Sequence, residues 1–377
     1  MSWYFIEPSD VLFFGDSRSF GAGDDHLAVS IFPPNPRTVA GAFRALVLGN
    51  SNVDWHDFIS GKPSAESVRE IIGSPEGILG SQFSMKGPFL AYRGASSYDL
   101  HMKLPYDAYF EDQEDIQFKS FSPMTQVPFI TKWPVAEFRP LWPPKGERKD
   151  APKESYWVGT DSTKKYTQGE QFTAKAESEI LTYEPRIGIA LDPKTRTTRE
   201  KFLYQATFVR LEPSFGFIVW LNDAFDSLPE NGYLILGGET KAARYERIQS
   251  DFEYDFGLKT PSKRFKVVLM TPAYFKSGWE PEGSDWSSLL GFPAKLISAS
   301  LGKPLYLGGF DIVHNEERAI QTFVSPGSVY YFEADESIQE LNVPFTESIS
   351  QKMPLDRLGY GQAFLGHWDW QSLEEEK

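Results

Sequence analysis

The spacing of hydrophobic and polar positions changes character several times along the chain. Residues 3–14 (WYFIEPSDVLFF) are aromatic and β-branched, and Pro8 and Asp10 interrupt them, so a strand with an edge or bulge is predicted. A loop over 15–34 follows, with glycines at 15, 21 and 23 and the pair Pro33-Pro34. Asn35 then stands as an N-cap with Pro36 at the first helical position. Val39, Phe43, Leu46 and Val47 recur at helical spacing, which predicts a helix ending at Gly49-Asn50. A second helix is predicted over 65–72. Strands are predicted over 83–92 and 201–221, the latter a hairpin turning at Pro213-Ser214-Phe215-Gly216. A Gly-Gly turn, Leu236-Gly237-Gly238-Glu239, leads into a strand over 241–248.

The order then repeats. A strand is predicted over 264–271 (RFKVVLMT), a helix over 286–301, strands over 306–312 and 318–332, and a turn at Gly359-Tyr360-Gly361-Gln362 before a last strand over 363–368. Strand, helix, hairpin, segment, glycine turn and strand, met twice, is the βαββαβ order of ferredoxin-like units. The fold class expected is α+β, with tandem ferredoxin-like (RRM-like) domains. The boundary falls near 256–261, giving an N-terminal domain over 1–257 and a C-terminal one over 258–377. Residues 97–182 fit neither half: they are rich in proline, aromatics and mixed charge, with weak periodicity. A structureless connection of that length does not suit a compact domain, so one or more hairpins projecting from the body are predicted there.

The chain has 377 residues, of which 41% are hydrophobic and 15% aromatic, enough apolar material to exclude wholesale disorder. No apolar run approaches the ~20 residues of a membrane span, and residues 1–10 lack a basic segment followed by an apolar one. A cytoplasmic protein without membrane contact is expected. The absence of cysteine excludes disulfides, thiolate zinc sites and cysteine nucleophiles. A formal net charge of −14 argues against general affinity for nucleic acid, yet leaves room for a local basic groove. Residues 186–210 hold six bases against Asp192 and Glu200, and 259–266 (KTPSKRFK) hold four bases and no acid, whereas 107–115 carry five acids and no base. Each run alone is also what a solvated face looks like.

The first helix offers backbone N–H groups and a partial positive dipole at its N-terminus, a seat for an anion. Arg37, Gly41 and Arg44 share one helical face, Gly41 leaves room for a bulky partner, and Arg18 lies in the preceding loop. Two readings stay open: a phosphate or base clamp, or a glycine packed on a strand with arginines paired to acids. The turns at Gly237-Gly238, Gly308-Gly309 and Gly359-Tyr360-Gly361 free N–H groups for phosphates, and Tyr360 suits base stacking. Lys241, Arg244 and Arg247 follow the first turn. No two of the five histidines have metal-ligand spacing, and no hydrolase motif occurs; His26, beside the loop glycines, is the one candidate general base. No metal or cofactor is expected. A carbohydrate-directed protein, suggested by aromatic content and acidity, requires an export signal or sugar cleft that the chain does not display.

The block Ile6-Glu7-Pro8-Ser9-Asp10-Val11-Leu12-Phe13-Phe14, then Asp16-Ser17-Arg18-Ser19-Phe20-Gly21-Ala22-Gly23, then Phe32-Pro33-Pro34-Asn35-Pro36-Arg37-Thr38-Val39-Ala40-Gly41-Ala42-Phe43-Arg44 resembles the third-subunit family of Cmr complexes. These are RAMP-superfamily proteins of type III-B CRISPR–Cas effectors. Arg186-Ile187-Gly188-Ile189-Ala190-Leu191-Asp192, Leu236-Gly237-Gly238-Glu239 and Gly359-Tyr360-Gly361-Gln362 fit the same pattern in the same order. The resemblance implies a tandem ferredoxin-like protein of the RAMP type without nuclease activity. It would hold the 5′ tag of the guide (CRISPR) RNA beside the large polymerase/cyclase-like Cmr subunit and contact the backbone RAMP subunit. Residues 97–182 would be a thumb separating tag from guide. On this reading Arg18, Arg37 and Arg44 grip the tag, Gly237, Gly238, Gly359, Tyr360 and Gly361 supply backbone contacts and stacking, and Arg186, Lys241 and Arg244 meet phosphates. The alternative is a RAMP-type endoribonuclease processing CRISPR transcripts with a histidine general base, His26. Two features depart from the family: Arg357 is the lone base near Gly359, and the whole chain is strongly acidic.

Overall fold

Ser2–Pro8 lacks polar alternation because both of its faces are covered: Tyr4 and Ile6 enter one core, Phe5 another, and none of the three touches solvent. The structure, a computed structural model, describes residues 2–15, 27–74, 79–125, 138–142, 152–191, 198–249, 262–311, 316–338, 348–351 and 355–371. The predicted boundary at 256–261 lies outside them. The architecture is mixed α/β with mostly antiparallel sheets. Ser2–Pro8 runs between Phe215–Leu221 and Ala242–Arg247, antiparallel to both. The whole sheet is ordered Lys175–Ala176, Tyr156–Gly159, Tyr98–Lys103, Met85–Arg93, Phe215–Leu221, Ser2–Pro8, Ala242–Arg247, Asn231–Ile235. The helix Pro36–Asn50 lies on one face, with Val39 and Phe43 against Tyr4 and Tyr245 and the Tyr4 and Phe43 rings 5.8 Å apart. Asn35 and Pro36 take the cap and first-turn roles expected of them. Glu66–Ile72 supplies the second helix.

A second sheet is ordered Ala294–Ser300, Val329–Ile338, Ser262–Leu269, Ala363–His367, antiparallel throughout. Its strands follow chain order second, third, first, fourth, and in the first sheet Met85–Arg93, Phe215–Leu221, Ser2–Pro8 and Ala242–Arg247 follow the same order among themselves. Alternation divides its residues: Phe265, Val267 and Leu269 pack with Trp286 and Leu290, while Val268, Val329 and Tyr331 face the first sheet. Among the described residues no helix is long and apolar enough to cross a membrane.

Several expectations need correcting. The helix expected over 286–301 is five residues long, Trp286–Leu290, because Gly291 takes a left-handed conformation (φ 79°); the chain then forms the strand Ala294–Ser300. The hairpin expected over 201–221 is two strands in different sheets. Thr198–Leu211 pairs with Leu181–Leu191 as a long ribbon, while Phe215–Leu221 enters the first sheet, so the Pro213-Ser214 corner passes the chain between sheets. Among the described residues the helical structure between Phe215–Leu221 and Ala242–Arg247, and between Val329–Ile338 and Ala363–His367, is one 3-10 turn each, Asp223–Phe225 and Leu355–Leu358.

Residues 97–182 do not project as an arm where they are described. Tyr98–Lys103, Tyr156–Gly159 and Lys175–Ala176 extend the first sheet, and Phe118, Tyr156, Tyr166 and Phe172 are buried between the two sheets. Apolar burial explains this: the faces carrying Phe5, Phe89 and Ile218 and those carrying Val268 and Tyr331 need a common filling. Beyond the Ile187–Gln205 pair the ribbon has no third strand among the described residues, so within them it is the ribbon that runs out alone.

One polar cluster lies inside this filling. Lys266 Nζ is 3.1 Å from Asp107 Oδ2, and both residues are about fully buried (1% and 0% exposed). The Tyr166 hydroxyl donates to the Asp107 carboxylate, 2.9 Å from each oxygen. The Tyr331 hydroxyl lies 2.5 Å from Oδ2, and Lys266 Nζ stands 3.7 Å above the Tyr166 ring. Lys266 therefore leaves the basic run to which its sequence position assigned it: alternation turns it inward while its neighbours in the strand face the other core.

Removing one partner of a buried pair strands a charge, so Asp107→Ala is expected to cost about 3–5 kcal/mol in denaturant unfolding, whereas Asp107→Asn with Lys266→Met costs far less. Burial raises Tyr166 and Tyr331 well above the ordinary phenol value of 10.0, with Asp107 adding to it, and burial likewise raises Tyr330. These phenols stay neutral in the folded protein where the unfolded chain ionises, so stability is expected to fall as pH climbs above 10. Burial lowers Lys266, which acts in the opposite sense just below its ordinary 10.5, but three phenols outweigh one amine. Urea unfolding midpoints across that range check the sign.

Candidate functional site

The described chain closes a groove of about 710 Å³ around the N-terminal half of the first helix. Arg37, Thr38, Gly41 and Ala45 form one wall, and Phe13, Phe14, Gly237 and Gly238 a second. Pro272, Leu305, Leu307, Gly308, Gly309, Glu317 and Arg318 form the third, so the two halves of the chain share the site. Of the residues expected to act together, Arg37, Gly41, Gly237 and Gly238 do meet here. Arg18 and His26 lie outside the described residues.

The helix begins where it does because Asn35 Oδ1 accepts the Arg37 N–H at 3.0 Å. That aims the first turn at the groove and places Arg37 at its mouth, where it forms no ion pair among the described residues. Gly41 is exposed, and a Cβ added to it would meet nothing within 4 Å. Packing among the described residues therefore gives no reason for glycine in this helix interior, where it costs about 1 kcal/mol relative to alanine. Gly237 is the opposite case. Its φ is +79°, a Cβ would come 2.3 Å from the Phe13 carbonyl oxygen, and Gly238 N donates to that same oxygen at 2.8 Å.

Phe13 continues the site outward. Its ring lies 5.3 Å from that of Phe208 on the ribbon, over which stand the Arg186 guanidinium (5.0 Å) and Lys241 Nζ (5.1 Å). Arg186 also pairs with Glu184 at 3.0 Å, and Arg210 pairs with Glu184 and Asp10. Hydrogen bonds from Arg210 and then Arg186 hold the Glu184 carboxyl below its ordinary value. Much of the ribbon's positive charge is thus balanced locally.

The remaining expected residues stand elsewhere. The Arg44 guanidinium reaches the Ser74 carbonyl at 3.4 Å, toward the second helix. Arg244 pairs with Glu246 (3.4 Å) beside Arg93 in a separate hollow. Tyr360 is 1% exposed, so its ring is not open to a base; it stacks on Phe323, 5.1 Å between centroids, and its hydroxyl bonds Asn35 Oδ1. Gly359 and Gly361 are also buried; a Cβ on Gly359 would come 2.2 Å from the Gly87 carbonyl oxygen. Arg357 is spent on the carbonyls of Gly80, Ser81 and Phe83. This C-terminal turn joins the halves from beneath the groove. Sequence reasoning missed Phe13 and Arg318, whose place depends on chain segments far apart; the Gly308-Gly309 pair was the only signal of the third wall.

No described histidine lines the groove: His101 is buried against Asp99 (3.2 Å), and His367 lies 2.9 Å from Asp369. The arrangement suits a ligand with phosphate for Arg37 and flat apolar surface for Phe13, Leu305 and Ile235.

The family described as CRISPR-associated protein (Cas_Cmr3) matches residues 4–368. The CRISPR system CMR subunit Cmr3 of Saccharolobus solfataricus is 24% identical over 152 residues, 40% of this chain and 44% of that protein, so the match spans less than half of the relative. A chain of the type III-B Cmr-beta complex solved with cognate target RNA and AMPPnP superposes with a TM-score of 0.51 at 16% identity, covering 87% of this chain and 86% of that one. A chain of the same complex with cognate target RNA gives 0.50 at the same identity and coverage. These structures share the fold.

Gly41→Ala is expected to raise stability by about 0.5–1 kcal/mol, because helix propensity improves and no neighbour is disturbed. Gly237→Ala is expected to lower it by about 1–3 kcal/mol through strain. Paired thermal melts check both.

Proposed function

The chain belongs to the Cas_Cmr3 family of CRISPR-associated proteins, and we propose that it is a non-catalytic RNA-binding subunit of a type III-B Cmr effector complex. It holds the 5′ tag of the guide RNA in the groove, and it bridges the large polymerase/cyclase-like subunit to the RAMP backbone. The observation that carries this reading is Gly41: a helix-interior glycine that meets no neighbour among the described residues, in a groove also lined by Arg37, which forms no ion pair among them. Such a position favours close approach of a ligand over internal stability.

The repeated strand order supports reading the chain as two ferredoxin-like units of the RAMP type, with the groove at their junction. Arg37 takes a tag phosphate, the apolar walls take unstacked bases, and the RNA leaves past Phe13 toward Lys241 and Arg186. The long ribbon Leu181–Leu191 with Thr198–Leu211, rather than residues 97–182, is the arm that parts tag from guide. The solved relatives are complexes bound to target RNA, in keeping with this assignment. The described histidines lend no support to an endoribonuclease.

Arg37→Ala in the assembled complex is expected to reduce photo-crosslinking of the guide RNA 5′ end to this chain by tenfold or more, on the order of one charge-assisted hydrogen bond. Gly41→Leu is expected to do the same by filling the groove while leaving the fold intact. Parental crosslinking in both variants sinks the assignment.

A further inference from the structure

The C-terminal Gly359-Tyr360-Gly361 turn, expected to touch RNA, is buried, yet it touches three elements that build the groove. The Tyr360 hydroxyl bonds Asn35 Oδ1, the atom that caps the first helix by accepting the Arg37 N–H. Its ring stacks on Phe323, which pairs with Leu305 in the hairpin Leu305–Leu307 with Gln321–Phe323 that supplies the third wall. The next residue, Gly361, donates its N–H to the Pro272 carbonyl at 2.8 Å, and Pro272 lines the groove.

We propose that Tyr360 is a positioning residue of the groove, which sets the first turn of the helix, and with it Arg37, against the wall from the C-terminal half without touching the ligand. The inference rests on the groove being the RNA site.

The physical logic is that of a shared acceptor. One amide oxygen takes a hydrogen bond from the helix it caps and another from the opposite half of the chain, so the helix N-terminus and the C-terminal turn cannot shift independently. Burial raises the Tyr360 phenol to about 12, so it remains a donor at neutral pH. The two flanking glycines permit the turn to lie this deep: at Gly359 and Gly361 the backbone is left-handed (φ +89° and +67°), and added Cβ atoms would strike Gly87 O and Ser350 N.

The test compares three variants in the assembled complex, reading guide-RNA crosslinking alongside the melting temperature of the purified chain. Tyr360→Phe keeps the ring stack and removes only the hydroxyl. It is expected to lower crosslinking about fivefold, the scale of one hydrogen bond. Asn35→Ala is expected to lower it by as much or more, and the double variant by no more than Asn35→Ala alone. Tyr330→Phe is the control: it removes an equally buried hydroxyl, bonded to the Trp279 carbonyl at 2.6 Å, in a core away from the groove. It is expected to cost similar stability and leave crosslinking at the parental level. Parental crosslinking in Tyr360→Phe, additive losses in the double variant, or an equal loss in Tyr330→Phe overturns the positioning role. Loss in Arg37→Ala with none in Tyr360→Phe removes this inference alone, whereas no loss in Arg37→Ala removes the RNA reading beneath it.

Discussion

An ionised carboxylate and ammonium cannot sit in an apolar interior unless each meets the other and their remaining bonds are filled, and the Asp107–Lys266 pair meets that condition with two tyrosines. Its partners come from three places in the chain. Asp107 and Tyr166 belong to the inserted stretch, while Lys266 and Tyr331 lie on neighbouring strands of the second sheet. Apolar burial alone would tolerate some sliding of one sheet over the other; a charge pair with fixed hydrogen-bond geometry does not. The cluster therefore fixes how the insertion seats between the sheets. Arg357, reaching three carbonyls of the first half, ties the C-terminal turn to it. The groove itself takes walls from both halves.

The proposed RNA groove lies in an acidic chain whose described cations are largely paired. Glu184 and Asp10 balance Arg186 and Arg210 on the ribbon, Glu246 and Glu7 balance Arg93, and Glu246 also meets Arg244. Arg37 stands outside these networks. A site of this kind relies on placement more than on summed charge, so its affinity depends on how well the helix N-terminus is held. The two glycines of the walls answer different demands. Gly237 is fixed by its own backbone, which no side chain could share with Phe13. Gly41 meets no such demand among the described residues, which is why it carries the RNA-binding proposal.

The inserted stretch illustrates how the same residues serve a different end from the one their composition suggests. Prolines, aromatics and scattered charge read as an arm in solvent. The aromatics instead fill the gap between two sheets whose facing sides would otherwise be wet, and the segment contributes strands to the larger sheet. Among the described residues the ribbon's outer pairs lack a third strand, and it is the ribbon that runs out alone.

Local chemistry made much of the chain legible. Asn35 and Pro36 announced the helix, the glycine turns announced the reversals, and the runs at 3–14 and 264–271 announced central strands, since each of these signals acts within a few residues. The candidate site was half legible for the same reason: Arg37 with Gly41 is one helical face, and Gly237-Gly238 is one turn. What the tertiary structure alone decided was which face of each element met which neighbour. Helix and strand compete over 294–300 until Val329–Ile338 offers an edge to pair with. Lys266 is one of a row of cations until its strand's pleat turns it toward Asp107. Tyr360 is a surface aromatic in the sequence and a buried strut in the fold, because Asn35, Phe323 and Gly87 come from parts of the chain whose convergence is a property of packing, and no local pattern encodes it.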